Sequence, residues 1–287
     1  MNNGIVCRQN EEKSIKYLAA QRQIYNEVKK FDNVGIVFSV VLPLLLSVLQ
    51  LFWKKNRYLN TAAQMLSIVS MFVGMAVNSF VTRQKKNAAD IQQQFDVYVF
   101  QMPWDNKLFG KKRDLSYMIA DKSKILLSKS GEESKLLNWY TPAVGNASHI
   151  KGIWLCQKEN FWWDVNLRKR FKKCSCIVIG ILIALVVFTG VIQDESVNIL
   201  IERVAFIVPM LQWLFATIKQ LHEDIENLKE MDELINSQEE KSMEDLQEIQ
   251  SKIYIHRKSC YAIPNFFYEK YKNNDEDVAH RTVLLEN

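Results

Sequence analysis

Four of the seven tryptophans stand between residues 139 and 163: Trp139, Trp154, Trp162 and Trp163. They are interleaved with Asn138, Tyr140, Asn160, Asp164, Arg168, Lys169 and Arg170. Aromatic faces stack on bases, and Arg and Lys hold phosphates, so this residue set suits an anionic, base-bearing ligand. Trp139, Tyr140 and Arg168, with Arg113 from the preceding basic stretch, are the candidate ligand contacts. Blander readings compete. Trp162 and Trp163 precede an apolar block by about ten residues, where aromatic and basic side chains anchor helices at the headgroup level. Asp164 and Arg168 are spaced i, i+4 and suit a helix ion pair. Trp139 and Tyr140 equally suit a domain core.

Signals for catalysis are absent. There is no GxxxxGK, no GxGxxG, no HExxH and no CxxC pair, and only nine glycines are available for phosphate-cradling loops. Cys7, Cys156, Cys174, Cys176 and Cys260 show no metal-ligand spacing with the four histidines. An enzyme, a metal and a resident cofactor are therefore not expected. Two ionisable residues, Glu202 and Arg203, fall at the start of an apolar block. Intramembrane charges are functional candidates by default, although at an outer interface they simply snorkel.

The elements that must position these residues follow from hydropathy. The chain is 48% hydrophobic and 24% charged, averages typical of a soluble protein, but its apolar residues are clustered. Residues 34–53, 59–81, 174–192 and 197–218 each approach the ~20 apolar residues needed to cross a bilayer as helix. The last is the weakest, because it holds Glu202 and Arg203. The first block is too long for a signal-peptide core and no small-residue cleavage site follows it, so it is expected to stay in the mature chain. The prediction is an all-α integral membrane protein in which two transmembrane hairpins (34–81 and 174–218) flank a basic, mostly helical domain at 82–173. A helical segment at 1–33 precedes them and an acidic helical tail at 219–287 follows.

Charge sets the orientation. Residues 1–33, 82–173 and 219–287 hold 33 of the 37 Lys and Arg, while the second turn, 193–198, holds none. By the positive-inside rule both termini and the middle domain are cytoplasmic, with Lys54, Lys55 and Arg57 in the first turn as the opposing signal. The middle domain carries a net +9 and the tail a net −7. Mutual attraction, contact with anionic headgroups, and competition between the tail and an anionic ligand all fit that asymmetry.

Within the cytoplasmic parts, residues 11–31 and 84–102 show helical periodicity, and Pro103 ends the second. Asp114 is placed to cap a helix closed near Gly131. Residues 149–157 read as extended, and 160–173 as helix. After residue 218, Leu221, Leu228 and Ile235 fall on a heptad-like stripe, which fits a coiled coil or a helix packed on the middle domain. A further helix carries Met243, Leu246, Ile249 and Ile253, and residues 273–287 read as frayed. In the second apolar block, Ser67, Ser70, Gly74, Asn78 and Ser79 form a small, polar set. Such residues pack membrane helices together, or line a pore when several copies assemble. Ser70, Asn78, Glu202 and Arg203 are the candidate pore-lining residues.

Several short motifs add to this. Arg8-Gln9-Asn10 and Leu18-Ala19-Ala20-Gln21-Arg22-Gln23-Ile24-Tyr25 open the chain. Phe95-Asp96, Met102-Pro103-Trp104, Asn138-Trp139-Tyr140, Cys156-Gln157, Asn160, Trp163-Asp164 and Leu167-Arg168 follow. Together with the two flanking hairpins, this pattern resembles the SMODS-associating four-transmembrane effectors over nearly the whole chain. The resemblance implies a bacterial anti-phage role at the inner membrane. A cognate nucleotidyltransferase would make a cyclic di- or trinucleotide, and the effector would bind it, assemble as a homo-oligomer and disrupt the bilayer, halting growth. No DNA or RNA polymer is implied as partner, and no catalytic residues are carried over. A constitutive channel or transporter and a membrane scaffold docking partners through its cytoplasmic helices are the alternatives.

Overall fold

The computed structural model describes the backbone of residues 3–286 except 44, 47–48, 50–56, 193–195 and 238–240. Among the described residues the chain is helix and loop, with no strand. The helices are α1 (Ile5–Gln9), α2 (Glu12–Ile36), α3 (Arg57–Phe100), α4 (Asn106–Phe109), α5 (Ser116–Leu127), α6 (His149–Ile192), α7 (Val197–Asn236), α8 (Met243–Ser259) and α9 (Asn265–Glu286). They divide into two compact units. One gathers Met1–Lys29, Thr82–Arg168 and Glu223–Asn287, and the other Lys30–Val81 and Lys169–His222.

In the first unit, local chemistry sets the helix ends. α3 stops ahead of Pro103: Gln101 turns left-handed (φ 51°), and the Met102 amide reaches back to the Val97 carbonyl at 3.0 Å. That is a Schellman-type closure of the last carbonyls. The Asp105 carboxylate accepts from the Lys107 amide at 2.6 Å and starts α4. Asp114 accepts from the Ser116 amide at 3.0 Å one residue ahead of the N-cap position, Leu115, so it precedes α5 rather than capping it as the sequence suggests. α8 opens on a capping box between Ser242 and Asp245 and ends on His256, Arg257 and Lys258, which suit the negative end of the helix dipole.

Two sequence expectations change. Residues 149–157 are helix, not extended, because the Ser148 hydroxyl accepts from the Lys151 amide at 3.3 Å and starts α6 there. Ile153, Cys156 and Phe161 then fall on one buried face. Residues 273–286 continue α9 as helix rather than fraying.

The core of the first unit draws on all three of its segments. Ile5 and Leu18 meet Phe95, Phe100, Tyr140 and Leu155 of the middle stretch, and Leu228, Ile235, Leu246 and Ile249 of the C-terminal stretch. The heptad-like stripe of α7 is thus buried, and it packs within the chain. Truncating a fully buried aromatic in such a core costs ~3–5 kcal/mol.

The second unit holds parts of the apolar blocks. Phe31 and Phe80 rings pack 4.2 Å apart, and Gly35 lies so close to Val77 that an added Cβ would stand 3.1 Å from its Cγ1. Large apolar side chains there are exposed, among them Ile68, Phe72, Ile181 and Phe188. Among the described residues, no helix is long and apolar enough to cross a membrane.

Candidate functional site

A cavity of about 720 Å³ lies within the first unit. α2, α3, α6, α7, α8 and α9 and the loops before α6 and after α8 build its wall. α2 supplies Arg22, Tyr25 and Lys29 from positions i, i+3 and i+7, a spacing that puts them on one face. The loop before α6 supplies Asn138, Trp139 and Tyr140, and α6 itself Asn160, Trp163 and Arg168. His256 of α8, then Cys260 and Tyr261 beyond its end, complete the far side.

The polar wall is built from two buried networks. In the first, Arg168 is 4% exposed and its guanidinium donates through two of its nitrogens. Nε donates to Asp164 Oδ2 at 3.0 Å, and Nη1 donates to Asp224 Oδ2 at 2.7 Å and to the Tyr261 carbonyl at 3.0 Å. The i, i+4 pair read from the sequence is therefore one edge of a larger cluster. His256 Nε2 lies 2.8 Å from the same Asp164 oxygen. Burial alone would raise the Asp164 carboxyl, but Arg168 and His256 hold it well below the usual carboxylate range. Burial would lower His256, yet its contacts with Asp164 and Cys260 push it up to about 9.

The second network centres on Asp96, which is completely buried. Tyr140 Oη donates to Asp96 Oδ1 at 2.6 Å, Gln250 Nε2 donates to Oδ2 at 2.9 Å, and the Arg257 guanidinium pairs with the same oxygen. Asn160 donates to Tyr140 Oη at 3.1 Å, and Gln9 exchanges hydrogen bonds with the Tyr140 backbone. Burial, and then the Asp96 charge, raise the Tyr140 phenol well above its ordinary value, so it stays a neutral donor.

The α2 face differs. Lys29 is half-buried; its ammonium donates to Asn265 Oδ1 and sits 5.3 Å from the Tyr268 ring centroid. Burial and the neighbouring Arg22 push Lys29 down to about 8. Arg22 reaches its carboxylate, Glu132, only at 3.9 Å. Aromatic surface stands nearby, where Trp163 packs edge-on against Tyr268 with centroids 5.1 Å apart.

Trp139, Tyr140 and Arg168 thus share one cavity wall, and Arg113 lies elsewhere. Its Nη1 donates to Asp90 at 2.6 Å and Asn87 at 3.0 Å. Trp162 packs against the core with Lys158, whose ammonium is 4.8 Å from its ring and 4.6 Å from that of Trp154. Of the pore-lining candidates, Ser70 donates to the Phe38 carbonyl at 2.7 Å and Asn78 is exposed. The side chains of Glu202 and Arg203 lie outside the described residues. No group of three or more His, Cys, Asp or Glu among the described residues could hold a metal ion. Sequence reasoning missed Arg22, Tyr25 and Lys29, whose shared face was legible, and His256 with Cys260, which nothing short of the fold joins to Asp164.

Residues 3–284 match the SMODS-associating 4TM effector domain. The chain is also 23% identical, over 294 residues and 97% of each chain, to a Bacillus cereus (strain VD146) protein described as a probable CBASS effector molecule. No solved structure matches. With the profile spanning nearly every residue, the chain belongs to the SMODS-associating 4TM effector family.

Proposed function

We propose that the chain is a membrane effector of bacterial anti-phage defence, that a cyclic di- or trinucleotide fills the cavity of the first unit, and that the occupied form breaches the inner membrane. The α2 face carries this reading. Arg22 and Lys29 share that face, and the Arg22 charge helps to lower the Lys29 pKa. Two cations that disfavour each other's charge are relieved by an anion placed between them. A cavity of about 720 Å³ is within the ~300–1,000 Å³ typical of small-molecule sites. Trp139 and Trp163 offer ring faces for bases. Trp139, Arg22, Lys29 and Trp163 are the proposed contacts, with Tyr140 and Arg168 holding the wall they stand on. The messenger would come from a cognate nucleotidyltransferase, in keeping with the described role of the Bacillus cereus relative.

The membrane part of the proposal keeps the four apolar blocks as two hairpins, with both termini cytoplasmic. The charge bias and the exposed Phe72 and Phe188 support it. Several copies would assemble, with Asn78, Glu202 and Arg203 toward the breach; Ser70 would act there through helix packing. A scaffold docking through the α7 stripe is disfavoured, since Leu228 and Ile235 are buried.

The test is calorimetric titration of the detergent-purified full chain with a panel of cyclic di- and trinucleotides, paired with dye leakage from cells making each one. One messenger should bind and cause leakage, and Arg22→Ala with Lys29→Ala should abolish both while leaving membrane insertion intact. Leakage without any nucleotide would overturn the gating and favour a constitutive channel.

A further inference from the structure

We infer that Cys260 is a reactive thiol, a modification site that opens on the cavity and is taken by small disulfides. It is half-buried in the cavity wall, just past the end of α8. His256 lies one helical turn earlier, and the Cys260 amide donates to its carbonyl at 2.8 Å. His256 Nε2 is committed to Asp164 Oδ2 at 2.8 Å. The other ring nitrogen, Nδ1, is buried without a hydrogen-bond partner, and Cys260 Sγ has the Arg257 carbonyl at 3.9 Å as its own acceptor. Asp164, His256 and Cys260 line the same cavity, which sets an unpartnered imidazole nitrogen within one helical turn of the thiol, where it can take the thiol proton.

The surrounding charges decide which form the sulfur takes. Arg168 of α6 and Arg257 of α8 are cations; Asp164 of α6 and Asp224 of α7 pair with Arg168, Asp96 of α3 pairs with Arg257, and the Tyr25 phenol of α2 is kept neutral by burial. Burial and the α8 C-terminus oppose a thiolate. Arg168 first, and then His256, more than offset this and bring the thiol below its ordinary value. Cys156 is the contrast: it is fully buried, with no such cation among its neighbours, and burial pushes its thiol well up.

The step balances without a further reactant. The Cys260 thiolate attacks one sulfur of the disulfide, a new S–S bond forms as the old one breaks, and the leaving sulfur takes the electron pair. The His256 imidazolium supplies the proton that sulfur picks up. This site stands whatever ligand fills the cavity.

The experiment uses the full chain in detergent with Cys7, Cys174 and Cys176 changed to Ser and Cys156 to Ala. A dipyridyl disulfide is added across a range of pH, and the released thiopyridone is followed. The same protein in denaturant gives the reference rate of an ordinary thiol. At pH 6 the folded chain should react roughly tenfold faster than the unfolded one, with its inflection below the ~8.5 of a free cysteine. His256→Gln should reduce that advantage, and Cys260→Ser should abolish the signal. A folded chain that reacts no faster than its own unfolded form at pH 6 overturns the inference, whether or not the His256 variant folds.

Discussion

Two sets of cations face the same cavity and differ in what answers their charge. Arg168 and Arg257 each meet a buried carboxylate within hydrogen-bond distance, Asp224 and Asp96 respectively. Arg22 and Lys29 meet a carboxylate at 3.9 Å and a neutral amide oxygen. The first set is part of what holds the unit together. The second is answered only loosely, with Glu269 acting on Lys29 through space, and an anion in the cavity can complete it. Aromatic and basic residues close in sequence therefore say little about a site until their partners are known.

The comparison breaks most visibly at Arg168. Arg168→Ala strands the buried Asp224 and weakens the hold on Asp164, and losing one partner of a buried pair costs about 3–5 kcal/mol. Thermal unfolding should show this as a large drop in Tm with or without ligand. An unchanged Tm would mean that the cluster is not structural.

A somewhat smaller effect is expected from pH through His256. Its folded value is about 9 against an ordinary 6.5, so its contribution to stability is complete below about pH 6.5 and is lost as pH rises through 9. At 1.36 kcal/mol per unit this is on the order of 3 kcal/mol. Denaturant midpoints from pH 6 to 10 should fall in the parent, and His256→Gln should flatten that dependence. Cys260 interacts with His256, so Cys260→Ser serves as the background.

The other set is probed by binding. Arg22→Ala or Lys29→Ala should each weaken the messenger by about tenfold or more, the ~1.5–3 kcal/mol of a charge-assisted hydrogen bond, while Tm changes little. Affinity should also fall as pH rises past about 8, where Lys29 loses its proton, and Lys29→Ala should remove that fall. A pH-independent affinity would separate Lys29 from the ligand.

Arg113 gives the smallest effect. It pairs with a buried Asp90, but its own side chain is 43% exposed, and solvent screening discounts the pair to about 1 kcal/mol. Arg113→Ala should cost that much stability and leave messenger affinity unchanged. Reduced affinity would return Arg113 to the ligand surface.

Much of the fold was legible locally. The 84–102 stripe and the stop before Pro103 both stand in the structure, because helix period and end chemistry depend on residues a few positions apart. The 149–157 stretch was misread as extended because the Ser148 cap was overlooked. For the site, Trp139, Tyr140 and Arg168 were found on the cavity wall, but the roles of Tyr140 and Arg168 were not legible. Asp96 and Asp224, which engage them, stand 44 and 56 residues away.

By itself the sequence determined the helices, the clustering of apolar residues into four blocks and the charge bias between segments, since each is a property of neighbours along the chain. Only the tertiary structure decided that the acidic tail shares a core with the basic middle stretch. Their charges are answered in both directions: Asp224 of the tail pairs with Arg168, and Arg257 of the tail pairs with Asp96. Net charge sums over a segment, whereas a buried ion needs one partner within about 3 Å, and only packing supplies it.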